Sequence, residues 1–217
     1  SIVTSAPGFF HWVGEYAVNF GGLSINQKLP FRAYVGIEPS REKDVIAFGK
    51  IKVFIPSRKS FEDFAYEDVI KSKITRHITA MTQRLSGKPC PGFKIHGVFE
   101  IPPASGLNLS SSFASALIAA TLLYAEIISV EEYQIGLTKK IPDLIAYKPF
   151  NMLFREAWKL SCMRRDGISS GSGIFETLVR SRYPIVYFTE KRCSQLRSHH
   201  CTSRVSYNIE DDYRKID

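Results

Sequence analysis

The sequence has no long uninterrupted apolar run. Its most apolar stretch, Phe113 to Val130, is broken by Ser115, Thr121 and Glu126, which argues against a membrane-spanning helix there. The start of the chain lacks a basic segment followed by an apolar one, so no secretory signal is expected. Cysteine is scarce. Cys90, Cys162, Cys193 and Cys201 show no framework spacing, which excludes a disulfide scaffold and points to reduced thiols in a cytoplasmic protein. Cys193, His199, His200 and Cys201 are close in sequence, but adjacent ligands do not follow the paired spacing of zinc sites, and a polar surface loop is the better reading. No G-x-x-x-x-G-K-[ST] occurs, because Gly49-Lys50 and Gly87-Lys88 lack both the earlier glycine and the following hydroxyl. Gly171-Ser172-Gly173 lacks the third glycine of a dinucleotide fingerprint and follows no clear strand. The P-loop and Rossmann classes are therefore excluded by motif. There is also no RNA-binding signature, no internal repeat and no long linker.

What is present is an ordinary globular composition, 44% hydrophobic and 23% charged over 217 residues, enough to bury a sizeable core. The formal charge of +8 points to anionic partners, either nucleotide phosphates or nucleic acid. The basic residues are scattered. A loose cluster at Arg180, Arg182, Lys191, Arg192, Arg197 and Arg204 reads as solvated surface.

Hydrophobic periodicity places the elements. Phe9 to Val13 is a short apolar strand, followed by a turn that carries Glu15 and Tyr16 and closes at Gly21-Gly22. Phe31 to Ile37 and Ile51 to Ile55 alternate as strands and stop at Pro39 and Pro56. Ile70, Ile74, Ile78, Met81 and Leu85 recur at helical spacing, so Tyr66 to Leu85 is an amphipathic helix ended by Gly87 and Pro89. Phe93 to Ile101 is a half-buried strand, and Phe113 to Ile128 a buried helix. Val130 to Lys140 is a short helix, after which Pro142 interrupts the chain. Phe150 to Arg165 is helical, Gly167 to Gly173 a turn, Ile174 to Arg180 helical and Tyr183 to Phe188 a strand. From Cys193 the chain is polar and weakly patterned. Strands first, then strands mixed with helices, argue α+β.

The chemistry concentrates between strand Phe93–Ile101 and the buried helix, in Pro102-Pro103-Ala104-Ser105-Gly106-Leu107-Asn108-Leu109-Ser110-Ser111-Ser112. A strand, a turn of small residues and a helix start leave unpartnered N–H groups and partial positive charge at one point, which suits a phosphate. The competing reading is a serine-rich loop whose hydroxyls cap a core helix. A second glycine and serine turn, Ser170-Gly171-Ser172-Gly173, presents Glu176 from a helix start. Taken alone, Glu176 reads as an acid that complements the helix dipole.

These stretches resemble the GHMP kinases, the superfamily that includes galactokinase, homoserine kinase, mevalonate kinase and phosphomevalonate kinase. P-P-A-S-G-L-N-L-S-S-S looks like the second signature of that superfamily. Ala6-Pro7-Gly8 followed by a short strand, Gly14-Glu15-Tyr16 and Gly21-Gly22 resembles the first, in the right order. The resemblance runs from about residue 6 to about 190, and it implies the ribosomal-protein-type α+β fold of the superfamily's N-terminal domain over 1–190. Residues 191–217 would form a polar segment leading toward a second, ferredoxin-like domain. No third glycine-rich signature follows, and the chain stops near Asp217 where family members continue, so the expectation is a fragment from which that domain is missing.

The resemblance also implies a function. An ATP- and Mg²⁺-dependent kinase would phosphorylate a hydroxyl of a small molecule. Ser105, Gly106, Leu107, Asn108, Ser110, Ser111 and Ser112 would hold the ATP phosphates, and Ser110 or Ser111 would coordinate Mg²⁺. Gly173-Ile174-Phe175-Glu176 resembles galactokinase's G-I-M-D, which makes Glu176 the catalytic base and puts Glu15, Tyr16, Asn19 and Gly173 near the acceptor. That match favours a sugar, whereas Gly14-Glu15-Tyr16-Ala17-Val18 looks more like the mevalonate and phosphomevalonate branch, an isoprenoid-pathway substrate.

Three departures stand against this. Phe9 replaces a lysine or arginine common at that position, and Asn108 and Leu109 replace small residues. Arg164 and Arg165 occupy the region of a Mg²⁺-binding glutamate, with Glu156 and Asp166 the nearest acids. A catalytically degenerate relative that binds a ligand or protein is therefore the second expectation, and a basic nucleic-acid-binding module the third.

Overall fold

A computed structural model describes residues 1–40, 45–164, 169–181, 184–188 and 205–208. Strand β1, Ile2–Val13, pairs antiparallel with β2, Leu23–Pro39, from Ile2↔Ile37 to Val13↔Ile25. A 3-10 turn at Ala17–Phe20 joins them and ends at Gly21, whose φ of 87° is left-handed and suits glycine. Both strands are longer than their apolar periodicity suggests. Thr4-Ser5-Ala6-Pro7-Gly8 has little side-chain alternation, so its strand character comes from pairing with β2. The edge of β2 opposite β1 carries β5, Phe93–Phe99, along Ala33–Pro39 and β6, Ile185–Phe188, along Leu23–Asn26. Strand β3, Ile46–Ile55, runs parallel to β5, the two being linked through the β4 hairpin strand Ser60–Asp63 and helix α1, Asp68–Ser86. Gly87 caps α1 at φ 69° and donates its N–H to Gln83 O, as the sequence suggests.

Among the described residues the sheet order is β4-β3-β5-β2-β6-β7, with β1 beside β2. Strand β7, Val205–Asn208, pairs with β6 and lies in the segment that carries no apolar pattern. Helix α2, Leu109–Tyr124, lies on β1 and β2 and is covered by α5, Lys148–Arg164, and α6, Ser172–Leu178. Every residue from Ser111 to Leu122 is buried, which is why the helix reads as apolar on all sides. It begins four residues before the apolar run, because the serines form its first turn. The rest are α3, Val130–Thr138, which Ser129 and Glu132 start with a capping box, and α4, Ile141–Ala146. Pro142 sits in the first turn of α4, where a missing N–H does no harm, so it opens a helix instead of only interrupting the chain. The architecture is the expected α+β. No helix among the described residues is long and apolar enough to cross a membrane, and Cys90 and Cys162 are both buried. Cys193, His199, His200, Cys201 and Asp166 lie outside the described residues.

Glu156 is accounted for by the fold. It is buried on α5, with Lys159 Nζ 2.9 Å from Oε1 and Arg84 Nη2 of α1 2.8 Å from Oε2, the latter an ion pair without hydrogen-bond alignment. Burial works against its ionisation, but Lys159 and Arg84 together hold the carboxyl below the usual carboxylate range. This acid ties α1 to α5 and is committed to that role. Arg84→Ala leaves the buried charge with one fewer cation and should cost about 1–2 kcal/mol in a urea titration.

Candidate functional site

The turn between β5 and α2 is built by three left-handed residues, Ala104 (φ 56°), Gly106 (φ 75°) and Asn108 (φ 61°). Asparagine tolerates that conformation, and here its side chain is also a strut: Nδ2 donates to Phe9 O at 3.2 Å and to Gly106 O at 3.3 Å. The Phe9 N–H in turn donates to Leu107 O at 3.3 Å. The first signature strand and the β5–α2 turn are thus tied together at Phe9. Ser105 Oγ donates to Pro102 O at 2.7 Å and accepts from Leu107 N at 3.3 Å, which folds the turn back on itself.

Above this turn lies a cavity of about 360 Å³ lined by Glu15, Phe64, Tyr66 and Pro102 to Ser110. It brings together Ser105, Gly106, Leu107, Asn108, Ser110 and Glu15, residues from both signatures. A Cβ on Gly106 would meet nothing within 4 Å, so the space over its backbone is open to a ligand. Ser111 and Ser112 stand elsewhere. Both are buried, and Ser112 Oγ donates to Pro7 O at 2.7 Å, a bond that holds α2 on β1. Tyr16 is 74% exposed and, like Asn19, lines neither this cavity nor the other one described below.

Gly173 sits where α6 meets β1 and α2. A Cβ there would lie 2.7 Å from Phe9 Cζ and 2.8 Å from Ser111 Oγ, so a glycine is needed for this approach. The Phe9 ring is fully buried and packs against Gly173. One turn further along α6, Glu176 is also fully buried, and neither carboxylate oxygen has a hydrogen-bond partner. Desolvation pushes its carboxyl up to about 8, with Lys28 acting in the opposite direction. Burial pushes Lys28 down to about 8, against the pull of Glu176. Lys28 is the cross-strand partner of Phe9 in the β1–β2 register. A cation therefore reaches this position from β2, although β1 supplies none. Lys28 escapes sequence reasoning because only strand pairing places it opposite Phe9. Its one sequence signal is that it follows Ser24 and Asn26 at alternate positions of a strand, and both of those are buried.

A nucleotide and a divalent cation fit the open cavity in part. Its contributions are the first turn of α2, the Ser110 hydroxyl and the exposed Glu15 carboxylate. Mg²⁺ typically takes one or two protein oxygens and completes its shell with phosphates and water, and Ser110 and Glu15 are the oxygen-bearing side chains of this cavity, with Ser105, that would hold it. Among the described residues no group of three or more His, Cys, Asp or Glu is arranged to hold a metal without such help.

A sheet with α2 packed on it, and a turn of small residues at the N-terminus of that helix, is a fold found also in solved kinase structures. Solved structures similar to this chain include mevalonate kinase from methicillin-resistant Staphylococcus aureus (18% identity, TM-score 0.56, 90% of this chain and 55% of that one). Streptococcus pneumoniae phosphomevalonate kinase in complex with phosphomevalonate and AMPPNP is another (18%, 0.54, 87% and 50%). A third is L. major mevalonate kinase in complex with R-mevalonate (17%, 0.52, 88% and 49%). The chain spans about half the length of these structures. At this identity the likeness shows the fold. No family model matches the chain, and no curated protein does.

Proposed function

We propose that this chain is the nucleotide-binding part of an ATP-dependent kinase that phosphorylates a small-molecule hydroxyl. The cavity that joins Glu15 to Ser105–Ser110 at the start of α2 carries this reading, because it offers backbone N–H groups, a hydroxyl and a carboxylate around open space. Glu176 is the proton acceptor and Lys28 the nearby cation. Gly14-Glu15-Tyr16-Ala17-Val18 supports mevalonate or phosphomevalonate and Gly173-Ile174-Phe175-Glu176 a sugar, and the solved structures with the same fold include kinases of both kinds.

Calorimetry of Mg·ATP with and without galactose, mevalonate and phosphomevalonate tests it. Micromolar ATP binding that one acceptor strengthens supports the kinase and identifies its substrate. No nucleotide binding by folded protein overturns it. Ser110→Ala should weaken Mg·ATP binding about tenfold, by loss of one hydroxyl from the metal and phosphate site. Unchanged affinity would remove Ser110 from that site.

One observation favours a second reading, nucleotide binding without transfer. The Phe9 ring and Ser111 Oγ both lie against Gly173, and the Glu176 carboxyl is fully buried and lines neither cavity. ATP binding with no transfer to any acceptor would decide for it.

A further inference from the structure

A second cavity, of about 340 Å³, is lined in part by Lys28 and shares no lining residue with the cavity over the β5–α2 turn. It is enclosed by β1 at Ser5–Pro7, the bend of β2 at Lys28–Arg32, helices α3 and α5, and the end of α6. Its walls have two characters. Ile128, Leu137, Phe150, Leu153 and Leu178 make one side apolar, while Lys28, Arg32 and Arg180 bring three cationic side chains to the other.

The cations are not consumed by acids. Among the described residues no carboxylate forms an ion pair with Lys28, Arg32 or Arg180. Arg32 is aimed and held by Ser5, donating from Nε to Ser5 Oγ at 3.0 Å and from Nη2 to Ser5 O at 3.1 Å, which leaves Nη1 available. Arg32 acts electrostatically on both Lys28 and Tyr133, so the two cations form one positive corner with a phenol beside it. The acid that lines the cavity, Glu132, has its carboxylate turned to the Ser129 N–H in the α3 capping box, 2.7 Å away. Glu176 faces Lys28 from α6 without bonding to it, and it does not line the cavity. The Ser115 and Thr177 hydroxyls bond to each other at 2.6 Å and ask nothing of a ligand.

We propose that this cavity is a second binding site, distinct from the phosphate turn, for a small amphipathic organic anion: a carboxylate or phosphate monoester on a short apolar body. Unpaired cations in a partly desolvated corner attract an anionic head strongly, because little water competes there. The apolar wall accepts the body, and the volume sits at the small end of ligand sites, enough for a short chain with its head group. The charge and the apolar wall make separate demands, so neither a free inorganic anion nor a neutral alcohol satisfies both.

Calorimetry of the chain with octyl phosphate, octanoate and 1-octanol, with and without saturating Mg·ATP, tests the proposal. Octyl phosphate or octanoate should bind one to one, at least tenfold more tightly than 1-octanol, and ATP should not displace it. Arg180→Gln, a change at an exposed side chain, should weaken the octyl anion at least fivefold and leave ATP binding unaltered. Absence of binding, equal binding of the alcohol, displacement by ATP or insensitivity to Arg180→Gln would each overturn it. ATP binding is read in the same titrations, so failure of this site and failure of the nucleotide site are told apart.

Discussion

Glu176→Gln should lower the rate of phosphoryl transfer by about 10²–10⁴-fold and leave ATP affinity within about twofold. The substitution keeps the shape of the side chain and removes its ability to take a proton. Glu176 lines neither cavity, so nucleotide binding has no direct claim on it. Its role would be exercised only as the acceptor hydroxyl attacks, and a loss confined to turnover is the signature of such a role. Because burial pushes the carboxyl up to about 8, only the ionised minority acts as base at neutral pH. Turnover should therefore rise as pH rises through about 8 in the native chain. Single-turnover measurements from pH 6 to 9 on both forms check this. Equal turnover in the glutamine variant would end the assignment of Glu176 as base.

The second large effect concerns stability. From the ordinary glutamate value of 4.5 up to about 8, the folded chain keeps a proton on Glu176 that the unfolded chain has lost. The folded state binds more protons there, so this group's contribution falls as pH rises. From about 8 up to the ordinary lysine value of 10.5, the unfolded chain keeps a proton on Lys28 that the folded chain has lost, and stability recovers. The pair should thus carve a minimum near pH 8, with a depth of about 2–4 kcal/mol. His77, whose buried ring is pushed below its ordinary range, has the opposite trend toward acid pH. The decisive quantity is therefore the difference between native chain and Glu176→Gln. That difference should grow in favour of the variant from pH 5 to pH 8 in urea titrations. A constant difference over this range would mean that Glu176 is ionised in the folded state.

The linear pattern of residues was sufficient for the strand–turn–helix around Ser105–Ser112 and for the placement of α1, β5 and α5. Each of these has a period or a stop that depends only on neighbours along the chain. The buried character of α2 was legible because apolar residues cover all its sides. Local pattern was silent about the first half of β1, from Ile2 to Pro7, about β7 and about the helix with Pro142 in its first turn, where pairing, or a position in a first turn, decides the outcome.

The candidate site divides in the same way. Which residues could contact phosphate followed from the turn itself, and Ser110 and Glu15 do line one cavity. Which serines are free to do so was settled only by packing, since Ser111 and Ser112 face the interior and Ser112 is bonded to Pro7. The cation near Glu176 is likewise a product of β1–β2 register. Lys28 is far from Phe9 and Glu176 along the chain, and only antiparallel pairing and the docking of α6 bring the three together, because hydrogen-bond register in a sheet places residues that share no sequence signal.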